Sequence, residues 1–139
     1  MTIEQTLSII KPDGVRKKII GEIQKRFEDA GLTVIKAKMT VFTIADAHLF
    51  YSIHKDKPFF NDLCTYLSSG PIVVMVLEKE NAITAWRDLM GATNPKDAKE
   101  GTIRKDFAVS IEKNSTHGSD STENAAYELS YFFSETEIL

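Results

Sequence analysis

The sequence predicts an α+β sandwich of the ferredoxin-like type, a four-stranded antiparallel sheet with helices packed on one face. Strand-like and helical runs follow one another as β-α-β, several helices, β-α-β and a closing helix. A chain of 139 residues, 42% of them hydrophobic, is long enough to bury one sizeable core. We therefore expect a single domain over residues 1–139. The pattern alone leaves a doubly wound parallel sheet open.

The first third of the chain contains two strand-like runs with a helical run between them. Residues 6–10 are a short apolar run stopped by Lys-Pro-Asp-Gly at 11–14, which predicts a buried strand and a turn. Residues 19–30 place apolar side chains at helical spacing, and Gly31 marks the end of that helix. Residues 32–41 alternate apolar and polar side chains and predict the second strand.

The middle of the chain reads as two helices followed by a strand. Thr43 and Asp46 mark the start of a helix that continues through Tyr51. Residues 60–67 predict another helix, which ends before a Ser-Gly pair. The run at 72–77, Ile-Val-Val-Met-Val-Leu, is the most strand-like in the chain.

The last third is expected to hold two helices, a loop and a strand. Residues 81–90 predict a helix, and residues 91–101 form a polar loop that contains Gly, Pro and Asp. Residues 107–111 predict a strand. Residues 122–133 predict the closing helix.

Composition and charge exclude several classes of protein. The net charge of −3 gives no electrostatic footprint for duplex nucleic acid, although a local cationic pocket for phosphate remains possible. Cys64 is the only cysteine, so no intramolecular disulfide exists, and its apolar neighbours predict a buried thiol. The N-terminus lacks the layout of a signal peptide, and no apolar run is long enough to span a bilayer. We expect a cytoplasmic protein.

Residues 114–121, Asn-Ser-Thr-His-Gly-Ser-Asp-Ser, are the most informative stretch. His117 lies there among small and polar side chains, and a neutral imidazole is a good nucleophile near neutral pH. Gly118 would allow close approach of a ligand or a positive φ. Asn114 and Ser119 can donate hydrogen bonds. Taken alone, the stretch also suits a polar loop before a helix that happens to contain a histidine.

This stretch resembles the active-site signature of the nucleoside diphosphate kinases, Asn-x-x-His-Gly-Ser-Asp-small. Thr122 departs from the aliphatic or acidic residue that usually follows. The resemblance continues through residues 7–15, 51–60, 69–71, 89–94 and 101–104, in family order and at family spacing. It covers essentially the whole chain. It implies the ferredoxin-like fold and reversible transfer of a γ-phosphate from a nucleoside triphosphate to a diphosphate, by a ping-pong mechanism through a phosphohistidine on His117.

The resemblance assigns roles to ten positions. The catalytic set that it implies is His117, Glu128, Ser119, Lys11 and Tyr51. The nucleotide-binding set that it implies is Lys11, Phe59, Arg87, Thr93, Arg104 and Asn114. In the family, the Glu and Ser orient the imidazole, and the Tyr hydroxyl reaches the same pocket. The two Arg and the Thr contact nucleotide phosphates, while the Lys contacts the transferred phosphate and the ribose region.

The residue types suit these roles, although each has an ordinary structural alternative. Guanidinium forks match phosphate oxygens, but a lone Arg or Lys is usually a solvated surface charge. Phe59 offers an aromatic face that accepts any base, and it or its neighbour Phe60 could instead belong to the core. Asn114 suits a ribose hydroxyl and would equally stabilise a turn. Tyr51 could be an amphipathic core tyrosine.

No phosphate-binding loop of the Gly-x-x-x-x-Gly-Lys-Ser/Thr type and no protein-kinase loop occurs in the sequence. Phosphate is therefore expected to be held by side chains. We expect Mg²⁺ as cofactor, arriving with the nucleotide, because no dedicated carboxylate cluster is visible. Ile53 stands where the family often has Glu, so one carboxylate near the pocket rim is missing.

The expected partners are nucleoside di- and triphosphates of both sugar types and further copies of the chain, with no membrane and no specific nucleic acid. In the family the loop at 91–101 lies at subunit contacts, so we expect a homo-oligomer, a hexamer rather than a tetramer.

Two other functional classes fit parts of the sequence. A non-catalytic relative disagrees with the intact set of site residues. A ferredoxin-like nucleic-acid module would need basic and aromatic residues on the strand at 72–77, which has neither.

Overall fold

The computed structural model describes residues 3–108, 115–119 and 121–133. Within these ranges four strands form one sheet: β1 (Ile3–Ile10), β2 (Thr33–Val41), β3 (Pro71–Glu80) and β4 (Thr116–Gly118). Their order across the sheet is β2-β3-β1-β4, and every pairing is antiparallel. The predicted ferredoxin-like α+β class is confirmed, and the parallel alternative is excluded.

Seven α-helices accompany the sheet in the described part of the chain. They are α1 (Pro12–Arg16), α2 (Ile20–Asp29), α3 (Ile44–Phe50), α4 (Phe60–Leu67), α5 (Ala82–Met90), α6 (Ile103–Phe107) and α7 (Thr122–Phe132). Two single 3₁₀ turns lie at Ser52–His54 and Pro95–Asp97. The helix predicted from Thr43 begins with a reciprocal capping box, because Thr43 and Asp46 each accept a hydrogen bond from the other's backbone N–H at 3.0 Å.

Helices cover both faces of the sheet, so the expectation of helices on one face was wrong. Alternate side chains of β3 enter two separate cores. Ile72, Val74 and Val76 pack with residues of α3, α4 and α7. Val73, Met75 and Leu77 pack with residues of α2, α5 and α6. An unbroken apolar run is what a strand buried on both faces requires, and this run was already visible in the sequence.

The structure corrects three local expectations. Residues 107–111 were expected to form a strand, but Phe107 ends helix α6, and residues 109–111 lie outside the described part. The turn expected at 11–14 leads directly into α1, with Pro12 at the first helical position, where its missing N–H costs nothing. The strand β4 was not expected, because three mostly polar residues carry no strand signal.

The packing of α5 against β4 predicts a large cost for adding one methyl group to Gly118. A Cβ there would lie 2.6 Å from Trp86 Cδ1 and 2.5 Å from Met90 Cε. We expect Gly118→Ala to lower the free energy of unfolding by about 1–3 kcal/mol, as overpacking does. Urea denaturation followed by circular dichroism measures this.

Gly21→Ala is the matched control, since a Cβ at that position in α2 meets nothing within 4 Å. It should stabilise the protein by roughly 0.5–1 kcal/mol, because alanine loses less backbone entropy in a helix. Equal midpoints and slopes for Gly118→Ala and the parental protein would show that α5 does not press on β4.

Candidate active site

His117 lies on β4, beside the central strand β1. Ile9 of β1 is its partner in the antiparallel ladder. The Trp86 indole N–H of α5 donates to the His117 carbonyl oxygen at 3.3 Å. The backbone of the histidine is therefore held from two sides, on a strand and not in the loop that the sequence suggested. A site on a strand positions its side chain more tightly than a site on a loop.

Gly118 is required for packing in this structure. Its φ is not positive. The space that a side chain would take is filled by Trp86 and Met90 of α5. The sequence argument proposed ligand approach or a positive φ. The positive φ was wrong, and the structure gives glycine a different reason, the close contact between α5 and β4.

Glu128 of α7 connects His117 and Ser119. Its Oε1 lies 3.0 Å from His117 Nε2 and accepts a hydrogen bond from the Ser119 hydroxyl at 2.9 Å. Ser119 is fully buried and also accepts from the Leu7 N–H at 3.4 Å. When Nε2 donates to the carboxylate, the lone pair of the imidazole lies on Nδ1. The arrangement therefore leaves Nδ1 as the basic and nucleophilic nitrogen.

Two aromatic rings border the imidazole. The ring of Phe50 lies 5.4 Å and that of Tyr51 6.1 Å from the His117 ring, both edge to face. The Tyr51 hydroxyl is buried and has no hydrogen-bond partner among the described residues. Burial raises the pKa of Tyr51, and the nearby Glu128 raises it further. The hydroxyl therefore keeps its proton at neutral pH and is an unused donor.

Lys11 and Arg104 are two buried cations next to this group. Arg104 donates to the carbonyl oxygens of Thr116 at 2.8 Å and Gly91 at 3.1 Å, and its Nε is buried without a partner among the described residues. Burial, aided by the charge of Arg87, lowers the pKa of Arg104 to about 10. Burial and then the charge of Arg104 lower the pKa of Lys11 to about 7, against an opposing effect of Asp13. Clustered, desolvated cations favour an anionic ligand.

A cleft of about 630 Å³ opens beside Arg104. Arg87 of α5 and Thr93 of the following loop line it together with Arg104. His117 does not line it. Arg104 connects the cleft to the histidine, because its guanidinium bonds the carbonyl oxygen of Thr116, the residue before His117. Three residues expected to contact phosphates thus share one cleft, and one of them, Arg104, bonds the backbone of the strand that carries His117.

Phe59 stands at the outer end of a row of rings. Its side chain is 43% exposed. Its ring lies 6.0 Å from that of His54, which lies 6.1 Å from Tyr51. The neighbouring Phe60 is half-buried against the core and stacks on His48. Phe59 therefore has a face available for a ligand base.

Nine of the ten expected site residues lie in the described part of the chain; Asn114 lies outside it. The sequence argument gave no role to Asp13, Tyr66 or Ser115, which form a buried hydrogen-bonded cluster behind Lys11. The only signal for it was the aspartate in Lys-Pro-Asp-Gly, a residue type as typical of an ordinary turn.

Within the described ranges, no group of three or more His, Cys, Asp or Glu side chains could hold a metal ion. No helix in those ranges is long and apolar enough to cross a membrane.

Comparison with known proteins gives one consistent answer. The profile of the family "Nucleoside diphosphate kinase" matches residues 4–138. The nucleoside diphosphate kinase of Geobacter sulfurreducens is 56% identical over 137 residues, which are 99% of this chain and 100% of that protein. The one from Myxococcus xanthus is 59% identical over 138 residues, 99% of this chain and 95% of the relative.

Solved structures agree with the sequence relatives. The nucleoside diphosphate kinase of Aquifex aeolicus superposes with a TM-score of 0.96 at 40% identity, covering 99% of this chain and 100% of that one. The halophilic enzyme of Halobacterium salinarum, solved in complex with CDP, gives a TM-score of 0.94 at 38% identity, with 99% and 92% covered. With a match along nearly its full length in sequence and in fold, the chain belongs to the nucleoside diphosphate kinase family.

Proposed function

We propose that the chain transfers the γ-phosphate of a nucleoside triphosphate to a nucleoside diphosphate through a phosphohistidine on Nδ1 of His117. The observation that carries this proposal is the contact between Glu128 Oε1 and His117 Nε2 at 3.0 Å. It fixes one ring nitrogen as a donor and leaves the other as the nucleophile. Membership of the family supports the proposal, as does the cleft lined by Arg87 and Arg104, the second of which bonds the strand that carries His117.

The first half-reaction begins with attack of Nδ1 on the γ-phosphorus. The N–P bond forms as the bond from phosphorus to the bridging β–γ oxygen breaks, and the nucleoside diphosphate leaves with that oxygen. The imidazole becomes positively charged on phosphorylation, and the Glu128 carboxylate beside Nε2 stabilises that charge. The Ser119 hydroxyl holds the carboxylate in place. A second diphosphate then attacks the same phosphorus, and the steps run in reverse.

Lys11, Arg87, Thr93 and Arg104 supply charge and hydrogen bonds to the phosphates in this scheme. Arg104 is the central residue, because it lines the cleft and bonds the strand that carries His117. Its buried Nε and the buried Tyr51 hydroxyl are donors that a phosphate oxygen would satisfy. Preorganised donors of this kind stabilise the charge of the transition state without reorganisation.

Mg²⁺ is proposed to bind through the nucleotide phosphates, since the described residues offer no metal-binding cluster of their own. It would supply further neutralisation of phosphate charge. The chain's own contribution is to hold the phosphates by cationic side chains and to keep the imidazole in one tautomer.

The remaining parts of the proposal concern the nucleoside, the assembly and the location. Phe59 would stack on the base and accept purines and pyrimidines alike, since every base has a π-face. Asn114 would bond the ribose and tolerate deoxyribose. A single domain over residues 1–139, a cytoplasmic location and a homo-oligomer, a hexamer rather than a tetramer, stay predictions.

Labelling with ATP tests the nucleophile. Incubation with γ-labelled ATP should leave an acid-labile, base-stable phosphate on the parental protein, and chasing with a different diphosphate should remove it. His117→Ala should abolish labelling completely. His48→Ala, which changes an exposed histidine of α3, is the matched control and should keep it. Labelling of His117→Ala at the parental level would contradict the assignment.

The lowered pKa of Lys11, about 7, predicts a pH dependence. The nucleotide-free protein loses the Lys11 charge as the pH rises through that value, so kcat/KM should fall on the basic side. The fall in kcat should occur at a higher pH than the fall in kcat/KM, because phosphate bound to Lys11 favours the charged form of the lysine. Steady-state rates between about pH 6 and 9 measure both.

Lys11→Met should remove this basic limb and lower the rate by about 10²–10³-fold, as loss of a transition-state donor does. Lys105→Met, at an exposed lysine of α6, is the control that should keep the limb. An unchanged limb in Lys11→Met would assign the titration to another group.

A further inference from the structure

Asp13, Tyr66 and Ser115 form a buried hydrogen-bonded cluster that the reaction scheme does not use. The Tyr66 hydroxyl of α4 donates to Asp13 Oδ1 and accepts from the Asp13 backbone N–H, the latter at 2.7 Å. The Ser115 hydroxyl donates to Asp13 Oδ2 at 3.0 Å. All three residues are buried. One carboxylate thus ties α1 and α4 to the residue that leads into β4.

Ser115 has a backbone conformation that needs external support. Its φ is 73°, in the left-handed region that non-glycine residues rarely adopt. Its carbonyl oxygen accepts the Lys11 backbone N–H at 2.8 Å, and its side chain is bonded to Asp13. These two contacts hold Ser115 against the junction of β1 and α1. The position of the Lys11 backbone is therefore fixed relative to that of Ser115.

A side chain at Gly14 would not fit between the β1–α1 junction and Ser115. A Cβ at Gly14 would lie 3.3 Å from the Ser115 carbonyl oxygen and 2.8 Å from Ile10 Cγ2. The backbone at Gly14, next to Asp13, therefore packs closely against Ser115, two residues before His117. Asp13 also opposes the lowering of the Lys11 pKa by burial and by Arg104.

We propose that Asp13, held by Tyr66 and Ser115, is a positioning residue that places Lys11 against the transferred phosphate. The cluster does not touch the phosphate; it fixes the backbone from which the Lys11 side chain extends. This rests on the proposed function, since it requires Lys11 to act on a phosphate during transfer to His117.

A double-mutant cycle on the rate of His117 phosphorylation tests the proposal. The single-turnover rate with ATP is measured for Tyr66→Phe, Ser115→Ala and Asp13→Asn, each alone and combined with Lys11→Ala. Alone, Asp13→Asn should slow phosphorylation on the order of tenfold to a hundredfold, as misplacement of a catalytic group does, and the two hydroxyl deletions should slow it less. In the Lys11→Ala background each should cost less than about twofold, because a residue that acts through Lys11 then has nothing to position.

Two variants serve as matched controls for loss of a hydroxyl. Tyr127→Phe and Ser130→Ala each remove an exposed hydroxyl of α7 that bonds a backbone carbonyl oxygen. Both should phosphorylate at the parental rate. Asp13→Asn puts a carboxamide where two hydroxyls donate and can unfold the chain. The milder Tyr66→Phe and Ser115→Ala, checked for folding by circular dichroism, therefore carry the test by themselves.

The outcomes separate this proposal from the proposed function. If the parental protein forms phosphohistidine but each substitution slows it by the same factor with and without Lys11, the cluster serves folding alone and the proposal is overturned. The same holds if Tyr66→Phe and Ser115→Ala both react at the parental rate. If the parental protein forms no phosphohistidine, the proposed function itself fails, and the positioning role fails with it.

Discussion

The pairing of three residues, Thr116–Gly118, with the central strand β1 is the constraint on which the rest of the site depends. It fixes the backbone of His117 beside the middle of the sheet. From there the imidazole contacts Glu128 of α7. Arg104 donates to the carbonyl oxygen of Thr116, and Trp86 donates to that of His117. If this short strand were displaced, the contacts that bring His117, Glu128 and Arg104 together would be lost.

The site buries two positively charged side chains, Lys11 and Arg104, whereas a core built only for stability would contain apolar ones. Lys11 and Arg104 are both buried; the charge of Arg104 adds to burial in lowering the pKa of Lys11, and Asp13 opposes that change. Burial and the charge of Arg87 lower the pKa of Arg104. Burying cations lowers the free energy of unfolding, and a bound phosphate would offset this loss by pairing with their charge. The two large cores on either face of the sheet provide the stability that allows this cost. The site therefore combines buried cations with a well-packed scaffold on both faces of the sheet.

Much of the fold was predictable, because its main strands and helices carry strong periodic signals. The apolar run of β3 and the capping pair of Thr43 and Asp46 are local, and both appear in the structure as the sequence suggested. β4 was not predictable, since its three residues form a strand only because β1 offers an open edge. The helix at Ile103–Phe107 was missed for a similar reason: it is short, and it is held by tertiary contacts such as the ion pair between Arg26 and Asp106.

The candidate site was predictable only where a resemblance singled out residues. Nothing in the local pattern marks Glu128 on α7 as the partner of His117, because the contact joins a helix to a strand. The cluster of Asp13, Tyr66 and Ser115 could not be predicted for the same reason. Tyr66 lies 53 positions and Ser115 lies 102 positions after Asp13 in the sequence. Contacts across such separations are set by topology, and topology is what a one-dimensional pattern specifies least.

The most direct measurement is the position of the phosphoryl group on the imidazole after reaction with ATP. The two phosphohistidine isomers can be separated after alkaline digestion and distinguished by ³¹P NMR. Because Glu128 Oε1 contacts Nε2 at 3.0 Å, phosphate is expected on Nδ1 of His117. Phosphate on Nε2 would contradict the central claim, since the carboxylate would then not hold that nitrogen as a donor.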